Sequence, residues 1–199
     1  MLQPVSFHRP NLRQKGGRGQ RGKRFEEELL YAGEIYRMRG LGYLDRHEVP
    51  MGVNASGQRF YKEKTGFDFT GGEVVDVGGK KLMRVVAIEA KEINEDRLRI
   101  RRPKLRGRSS GSGVKAHQLE ALCALQVMGA RCLILWKRHG EVWAIDPEEL
   151  RKAVPVGGSL LFERWRDSRL LMPVRCLGPG WDYLGKVGGL VIHNGKGLK

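Results

Sequence analysis

The order in which helical and strand patterns follow one another limits the fold of this 199-residue chain more than any other feature. Helical spacing of apolar residues begins at Phe25, strand-like alternation fills the middle of the chain, and a second helical pattern spans residues 114–130. Two short strand patterns follow at residues 131–136 and 142–145, and a third helix opens after Asp146, a favourable N-cap. A further short helix is predicted at residues 160–169. This order predicts an α/β protein with a mixed central sheet flanked by helices.

The charge of the chain restricts the kind of partner it binds. Lys and Arg number 37 against 22 Asp and Glu, so the formal net charge is +15. Such an excess predicts a polyanionic partner, because basic side chains release the counterions of phosphates. Charge alone does not separate DNA, RNA and an anionic membrane.

Apolar runs and cysteines exclude two further classes of protein. No apolar run is long enough to span a bilayer, and the N-terminus lacks the apolar segment of a secretory signal, so we expect no membrane partner. The expected location is the cytoplasm, at the nucleoid, or the host cytoplasm if the source is viral. Three cysteines without a CxxC spacing indicate neither a disulfide framework nor a zinc site.

Basic residues concentrate in two segments. Residues 1–21 form an arm without acids, predicted to be flexible and to contact DNA, with a disordered solubilising tail as the alternative. In residues 97–102 arginines alternate with Leu98 and Ile100, which favours a strand with one basic face directed at phosphates or at solvent. A flexible tail is predicted at residues 188–199, and the folded domain at residues 22–187. The residues predicted to bind DNA are Arg13, Lys15, Arg18, Arg21, Lys23, Arg24, Lys62, Lys64, Arg97, Arg99, Arg101, Arg102, Lys104, Arg106, Arg108 and Lys115.

The segment Ile-Glu-Ala-Lys-Glu at residues 88–92 carries the clearest chemical signal. Side chains alternate on a strand, so Glu89 and Lys91 share one face while Ala90 points to the other. If the upstream Asp68 lies on a neighbouring strand, Asp68 and Glu89 converge on one hard cation such as Mg²⁺, whose remaining positions are filled by waters and substrate phosphate. This arrangement predicts metal-dependent phosphodiester hydrolysis.

Two other residues and two alternatives belong to this hypothesis. Lys91 is suited to orient the attacking water or to stabilise the pentacoordinate phosphate, and Glu26 to bind the same ion through water. Because Glu-x-Lys is common on exposed strands, a solvent-facing charge pair is one alternative. The other alternative is that Asp76, in a predicted hairpin at residues 74–82, binds the metal in place of Asp68.

Short motifs occur in an informative order along the chain. They are Gly22-x-x-Phe25-Glu26, Asp68-Phe69-Thr70-Gly71, Glu89-Ala90-Lys91-Glu92, His117-Gln118 and Pro179-Gly180-Trp181-Asp182-Tyr183-Leu184. This order resembles that of RecU-type Holliday junction resolvases, in the PD-(D/E)xK nuclease superfamily, from about residue 22 to residue 187.

The resemblance implies a nuclease domain with a restriction-endonuclease-like fold, a homodimer, dependence on Mg²⁺ or Mn²⁺, and paired symmetric nicks across four-way junctions. By position, the family's catalytic places fall on Glu26, Asp68, Glu89 and Lys91, and Gln118 matches a further motif residue. The chain departs from the pattern in the short basic stretch before Asp68, where such resolvases have an element that enters the junction.

Two other functions remain open from the residues. One is an endonuclease of the same type that acts on another DNA structure or site, and the other is a non-enzymatic, basic nucleic-acid-binding protein. The second gives no reason for the arrangement of Asp68, Glu89 and Lys91. Among the aromatic residues, Trp136 and Trp143 are predicted to lie in the core and not to serve as base-stacking platforms. For Trp165, Trp181 and Tyr183 a packed C-terminal segment is the preferred interpretation.

Overall fold

The computed structural model describes residues 18–47, 51–53, 56, 59–61, 66–102 and 112–185, and for residues 18–21, 51–53 and 59–61 it describes the backbone alone. In chain order the elements are α1 (Arg18–Met38), β1 (Gly42–Arg46), β2 (Met51–Val53), β3 (Arg59–Tyr61), β4 (Phe69–Val77), β5 (Lys80–Glu92), β6 (Arg97–Arg101), β7 (Val114–Lys115), α2 (Ala116–Val127), β8 (Arg131–Arg138), β9 (Glu141–Ile145), α3 (Pro147–Ala153), β10 (Ser159–Leu161), α4 (Phe162–Trp165), β11 (Leu171–Val174), β12 (Cys176–Leu177) and β13 (Gly180–Trp181).

A six-stranded sheet with the order β1-β4-β5-β8-β9-β11 forms the centre of the fold. Its neighbours pair antiparallel, except for β5 and β8, which are parallel. The parallel pair is joined through α2, as a crossover between parallel strands requires. The predicted class, α/β with a mixed central sheet flanked by helices, is confirmed.

The two faces of the sheet are covered by different helices. Phe25 and Leu29 of α1 pack in one cluster with Ile88 of β5, whereas Leu122 of α2 packs in the other cluster with Ala87. Side chains alternate along β5, so the odd-numbered residues at its end, including Glu89, project on the α2 side.

A smaller sheet of order β10-β6-β7 extends the α2 side of the molecule. Its inner face contributes Leu98, Ile100 and Val114 to the core below α2. The alternation predicted for residues 97–102 therefore corresponds to a strand with one buried and one basic face.

The first helix begins earlier than its apolar pattern. It starts at Arg18 instead of Phe25, so residues 18–21 of the predicted arm are helical, and Glu26 lies in the third turn, not the first. Residues 18–24 contain no large apolar side chain, so periodicity could not reveal this part of the helix. The predictions for residues 1–17 and 186–199 lie outside the described residues.

Three other boundaries differ from the sequence prediction. Val114 and Lys115 form β7, so α2 begins only at Ala116. The short helix predicted at residues 160–169 is confined to α4, because the residues before it pair with β6 as β10. β1 is not among the strands that the sequence patterns predict.

Two further features of the structure are the hydropathy of its helices and the state of its cysteines. No helix in the described ranges has the length and hydropathy needed to cross a membrane. Cys123 and Cys132 are buried, Cys176 is exposed, and all three are free thiols.

Candidate active site

Asp68 and Glu89 lie opposite each other at one end of the β4–β5 pair. Phe69 is in register with Ile88, which places the preceding Asp68 beside Glu89. The backbone amide of Asp68 donates to the carbonyl of Ile88 at 3.0 Å. Asp68 Oδ2 in turn accepts a hydrogen bond from the amide of Ala90 at 2.9 Å, which fixes the carboxylate across the gap between the strands.

Lys91 brings its ammonium group to both carboxylates. Its Nζ lies 3.8 Å from Asp68 Oδ2 and makes a closer ion pair with Glu89 Oε1. The side chain of Glu89 has 0% relative exposure, whereas those of Asp68 and Lys91 retain 27% and 20%. The three charged groups thus lie together, with Glu89 buried and with Asp68 and Lys91 partly exposed to solvent.

The electrostatics of the site follow from this burial. Burial raises the pKa of Glu89 to about 7, although the neighbouring Lys91 acts in the opposite direction. Burial also tends to lower the pKa of Lys91, but the charges of Glu89 and Asp68 outweigh it and the pKa is raised. The ammonium group therefore stays charged at neutral pH.

The arrangement fits a hard divalent cation. Glu89 Oε2 is buried and has no hydrogen-bond partner among the residues described, an unfavourable state that a cation would relieve. Carboxylate oxygens are the donors that Mg²⁺ and Mn²⁺ prefer. In the described part of the chain no three His, Cys, Asp or Glu side chains form a metal-binding group. The site therefore offers two carboxylate ligands and leaves the remaining coordination positions to water and phosphate. Mg²⁺ accepts such an arrangement.

Glu26 approaches the same site from α1. Burial raises its pKa, Arg46 lowers it, and Asp68 raises it further, so the Glu26 carboxyl lies within electrostatic reach of the Asp68–Lys91 group. Its Oε2 is held by Arg46 Nη2 at 3.0 Å. Arg46 was not predicted as a site residue, because the strand that carries it was not recognised in the sequence.

Gln118 occupies the first turn of α2. Its side chain is buried, and its Oε1 accepts a hydrogen bond from the backbone amide of Lys115 at 3.1 Å. This contact fixes the entry into the helix. Lys115 itself lowers the pKa of Glu89, so the start of α2 lies within electrostatic reach of the carboxylates.

Asp76 lies far from this group. It pairs with Lys81 near the turn of the β4–β5 hairpin, and its Oδ1 accepts a hydrogen bond from the amide of Gly79 at 2.9 Å. Eight residues of strand separate it from Asp68, about 26 Å at the usual rise. Asp76 therefore cannot share an ion with Glu89, and that alternative is wrong.

The residues predicted to bind DNA occupy several surfaces. Arg97 and Arg99 are exposed on β6, Arg101 is half-buried beside them, and Lys115 is exposed on β7. The Nε of Arg102 donates to the carbonyl of Val156 at 3.4 Å. Lys23 and Arg24 are exposed on α1, and only the backbone is described for Arg18 and Arg21. Arg13, Lys15, Lys62, Lys64, Lys104, Arg106 and Arg108 lie outside the described residues.

Comparisons with known proteins add a likeness at the level of the fold. No protein-family model and no curated protein matches the chain. Among solved structures, the chain is similar to the 1.6 Å structure of Hjc, a Holliday junction resolvase from the archaeal hyperthermophile Archaeoglobus fulgidus. The two share 17% sequence identity, the match covers 73% of this chain and 92% of that chain, and the TM-score is 0.42. A likeness of this degree carries no information about the activity of this chain.

Proposed function

We propose that this chain is a metal-dependent endonuclease that resolves four-way (Holliday) DNA junctions by paired symmetric nicks. The observation that carries the proposal is the convergence of Asp68, Glu89 and Lys91, in which the buried Oε2 of Glu89 has no hydrogen-bond partner among the described residues. An exposed charge pair, the alternative for Glu-x-Lys, does not account for a glutamate with 0% exposure.

Asp68 and Glu89 are the residues that would hold Mg²⁺ or Mn²⁺. When bound, such an ion lowers the pKa of a coordinated water and neutralises the negative charge that develops on phosphorus. The amide of Ala90 fixes the Asp68 carboxylate, and burial fixes Glu89. The ligand geometry is therefore set before substrate arrives, which avoids reorganisation during the reaction.

Lys91 provides the cationic side chain of the proposed mechanism. Its ammonium group, charged at neutral pH, contacts both carboxylates and retains access to solvent. It is placed to orient the attacking water or to stabilise the added charge on the phosphate. Glu26 would take a water-mediated position beside this group, and Gln118 would act as a positioning residue for the start of α2.

The choice of substrate within DNA rests on the motif resemblance described above and on charge. A net charge of +15 and the basic face of β6 supply phosphate contacts that do not depend on sequence. A two-fold homodimer would place two equivalent sites on strands of like polarity, which gives paired nicks. The protein would then act in the cytoplasm, on DNA undergoing recombination or repair.

Cleavage assays on three substrates test the proposal. The protein is incubated with a synthetic four-way junction, a linear duplex and single-stranded RNA, each with Mg²⁺ and with chelator. We expect symmetric cleavage of the junction alone, and only with the metal. Preferred cutting of linear duplex would favour a site-specific endonuclease instead, and binding without cleavage of any substrate would favour a non-enzymatic protein.

A further inference from the structure

The outer face of the small β10-β6-β7 sheet carries a row of basic side chains. Arg97, Arg99 and Arg101 project from the face opposite to the buried Leu98 and Ile100. Lys115 pairs with Arg101, so this lysine continues the row onto β7. Glu95 contacts Arg99 at 3.6 Å, with both side chains about half exposed, so this pair is screened by solvent and leaves the arginine available.

A cavity lies at the β10 edge of the same sheet. Its volume is about 260 Å³, and Ser159, Leu161, Arg164 and Trp165 contribute to its lining. Ser159 is opposite Arg99 and Leu161 is opposite Arg97, so these residues share the face of the arginines. The apolar side chain of Leu161 is 44% exposed, so this face also presents an apolar surface to solvent.

The cavity offers an aromatic ring beside a cation. Trp165 is half-buried against the core, and the guanidinium carbon of Arg164 lies 5.7 Å from its ring centroid. An aromatic ring next to arginine side chains is the combination that stacks nucleobases and neutralises their phosphates. Such stacking tolerates any sequence, because every base presents a flat π face.

The basic row connects this cavity with the candidate active site. Neighbouring strands are about 4.8 Å apart, so β10 and β7 are separated by roughly 10 Å across the sheet. At the β7 end, Lys115 lies within electrostatic reach of Glu89. A short run of nucleotides that crosses the arginines from Trp165 would therefore end at Lys115, whose charge acts on Glu89.

We propose that this face holds an unpaired DNA strand, with its phosphates on Arg97, Arg99, Arg101 and Lys115 and one base stacked on Trp165. A base within a duplex is stacked on both faces and paired at its edge, so the cavity accepts only an unpaired nucleotide. The inference rests on the proposed function for the nature of the ligand, and it deepens that function by assigning single-stranded DNA to this surface beside the cut site.

Binding measurements without metal test the proposal independently of cleavage. Fluorescence anisotropy is recorded for a labelled single-stranded oligonucleotide and for a duplex of equal length, in the presence of chelator. Trp165→Leu weakens single-strand binding about tenfold, the loss expected for one base-aromatic stack, and changes duplex binding less than about twofold. Equal losses on the two substrates would overturn the assignment of the cavity to a base.

The charge contribution has a matched control. Arg99→Gln weakens single-strand binding several-fold, whereas Arg37→Gln leaves it unchanged. Both arginines are about half exposed and ion-paired with a glutamate, but Arg37 lies on α1, across the central sheet from this face. Equal effects of the two changes would mean that net charge, not the row, determines binding.

An abasic scan tests the stacking position in the wild-type protein itself, with Trp165→Leu as the comparison. Oligonucleotides in which one nucleotide at a time lacks its base are bound to the wild-type protein and to Trp165→Leu. The wild type loses affinity at one position of the scan, and the variant loses this sensitivity. A flat scan in the wild type contradicts the proposal while leaving metal-dependent cleavage untouched. Conversely, a positional loss in a protein that cuts no DNA would sink only the nuclease proposal.

Discussion

Glu89 is the residue on which the chemistry of the site depends most. Its carboxyl group is buried, its Oε2 lacks a hydrogen-bond partner among the described residues, and burial raises its pKa to about 7. The group therefore exchanges its proton near neutral pH, and a cation must compete with that proton for the same oxygens.

The affinity of the metal-free protein for Mn²⁺ should depend on pH through this competition. The carboxyl binds metal only when deprotonated, so with a pKa of about 7 the affinity rises about tenfold between pH 6 and pH 8. Isothermal titration calorimetry at the two pH values measures the change. An affinity that is flat across this range would mean that Glu89 is not a ligand.

Replacing either carboxylate should separate cutting from binding. Asp68→Asn and Glu89→Gln each lower the rate of junction cleavage at least about 100-fold, because a proposed metal ligand is lost. Junction binding is kept or tightened, since each change removes a negative charge near phosphate. Single-turnover cleavage and gel-shift titrations provide the two readouts.

The matched control for these variants is Asp76→Asn, in the same hairpin. It removes one carboxylate about 26 Å along the strand from Asp68, so cleavage should be unaffected. If the two site variants lose binding and cutting in parallel, Asp68 and Glu89 have a structural role instead.

At the scale of elements, Asp146 links α3 to α2. Its Oδ1 accepts from the amide of Glu149 at 3.1 Å and caps α3, while its Oδ2 accepts from Gln126 Nε2 at 2.6 Å and ties α3 to α2. Because α2 carries Lys115 at its entry, this link also supports the candidate site.

Asp146→Ala should lower the free energy of unfolding by about 1–3 kcal/mol, because it removes the cap and the contact to α2. Asp146→Asn, which keeps an acceptor oxygen at the cap, should lose less than half of that amount. Urea denaturation followed by circular dichroism compares the two. Equal losses for both variants would show that the cap contributes little.

Elements with strong local signals could be predicted from the sequence. The β4–β5 hairpin has valine-rich segments on both sides of the Gly78-Gly79 turn, and α3 has its cap and first-turn proline, so these elements formed as expected. β1 was missed because only Leu44 buries a large aliphatic side chain in it, and β7 is two residues long. Such short strands depend on pairing with distant residues, which periodicity does not register.

The sequence was enough to predict which residues of the site lie together, but not how deeply they are buried or which other side chains contact them. Alternation along β5 was enough to place Glu89 and Lys91 on one face and to suggest a partner in Asp68. The complete burial of Glu89 and the ion pair between Arg46 and Glu26 arise from tertiary packing, so no local sequence pattern predicts them. The hydrogen bond that Gln118 accepts from the amide of Lys115 is local. It was not predicted, because Gln118 was interpreted as a motif residue and not as a helix-capping residue.

At the scale of the whole molecule, the charge of the chain predicts salt-dependent DNA binding. Deleting residues 1–17 removes Arg9, Arg13 and Lys15 and leaves α1 intact, because the helix starts at Arg18. The deletion should weaken junction binding and reduce the slope of log affinity against log salt by up to about 3. Titrations at several salt concentrations measure both, and an unchanged slope would mean that the arm does not contact DNA.

The account as a whole depends on one divalent ion at the end of the β4–β5 pair. Anomalous diffraction from crystals of the protein soaked in Mn²⁺ locates such an ion directly. We predict one peak about 2 Å from a carboxylate oxygen of both Asp68 and Glu89, with Lys91 Nζ beside it. A Mn²⁺ peak elsewhere in an otherwise ordered map, with neither carboxylate among its ligands, would contradict the account.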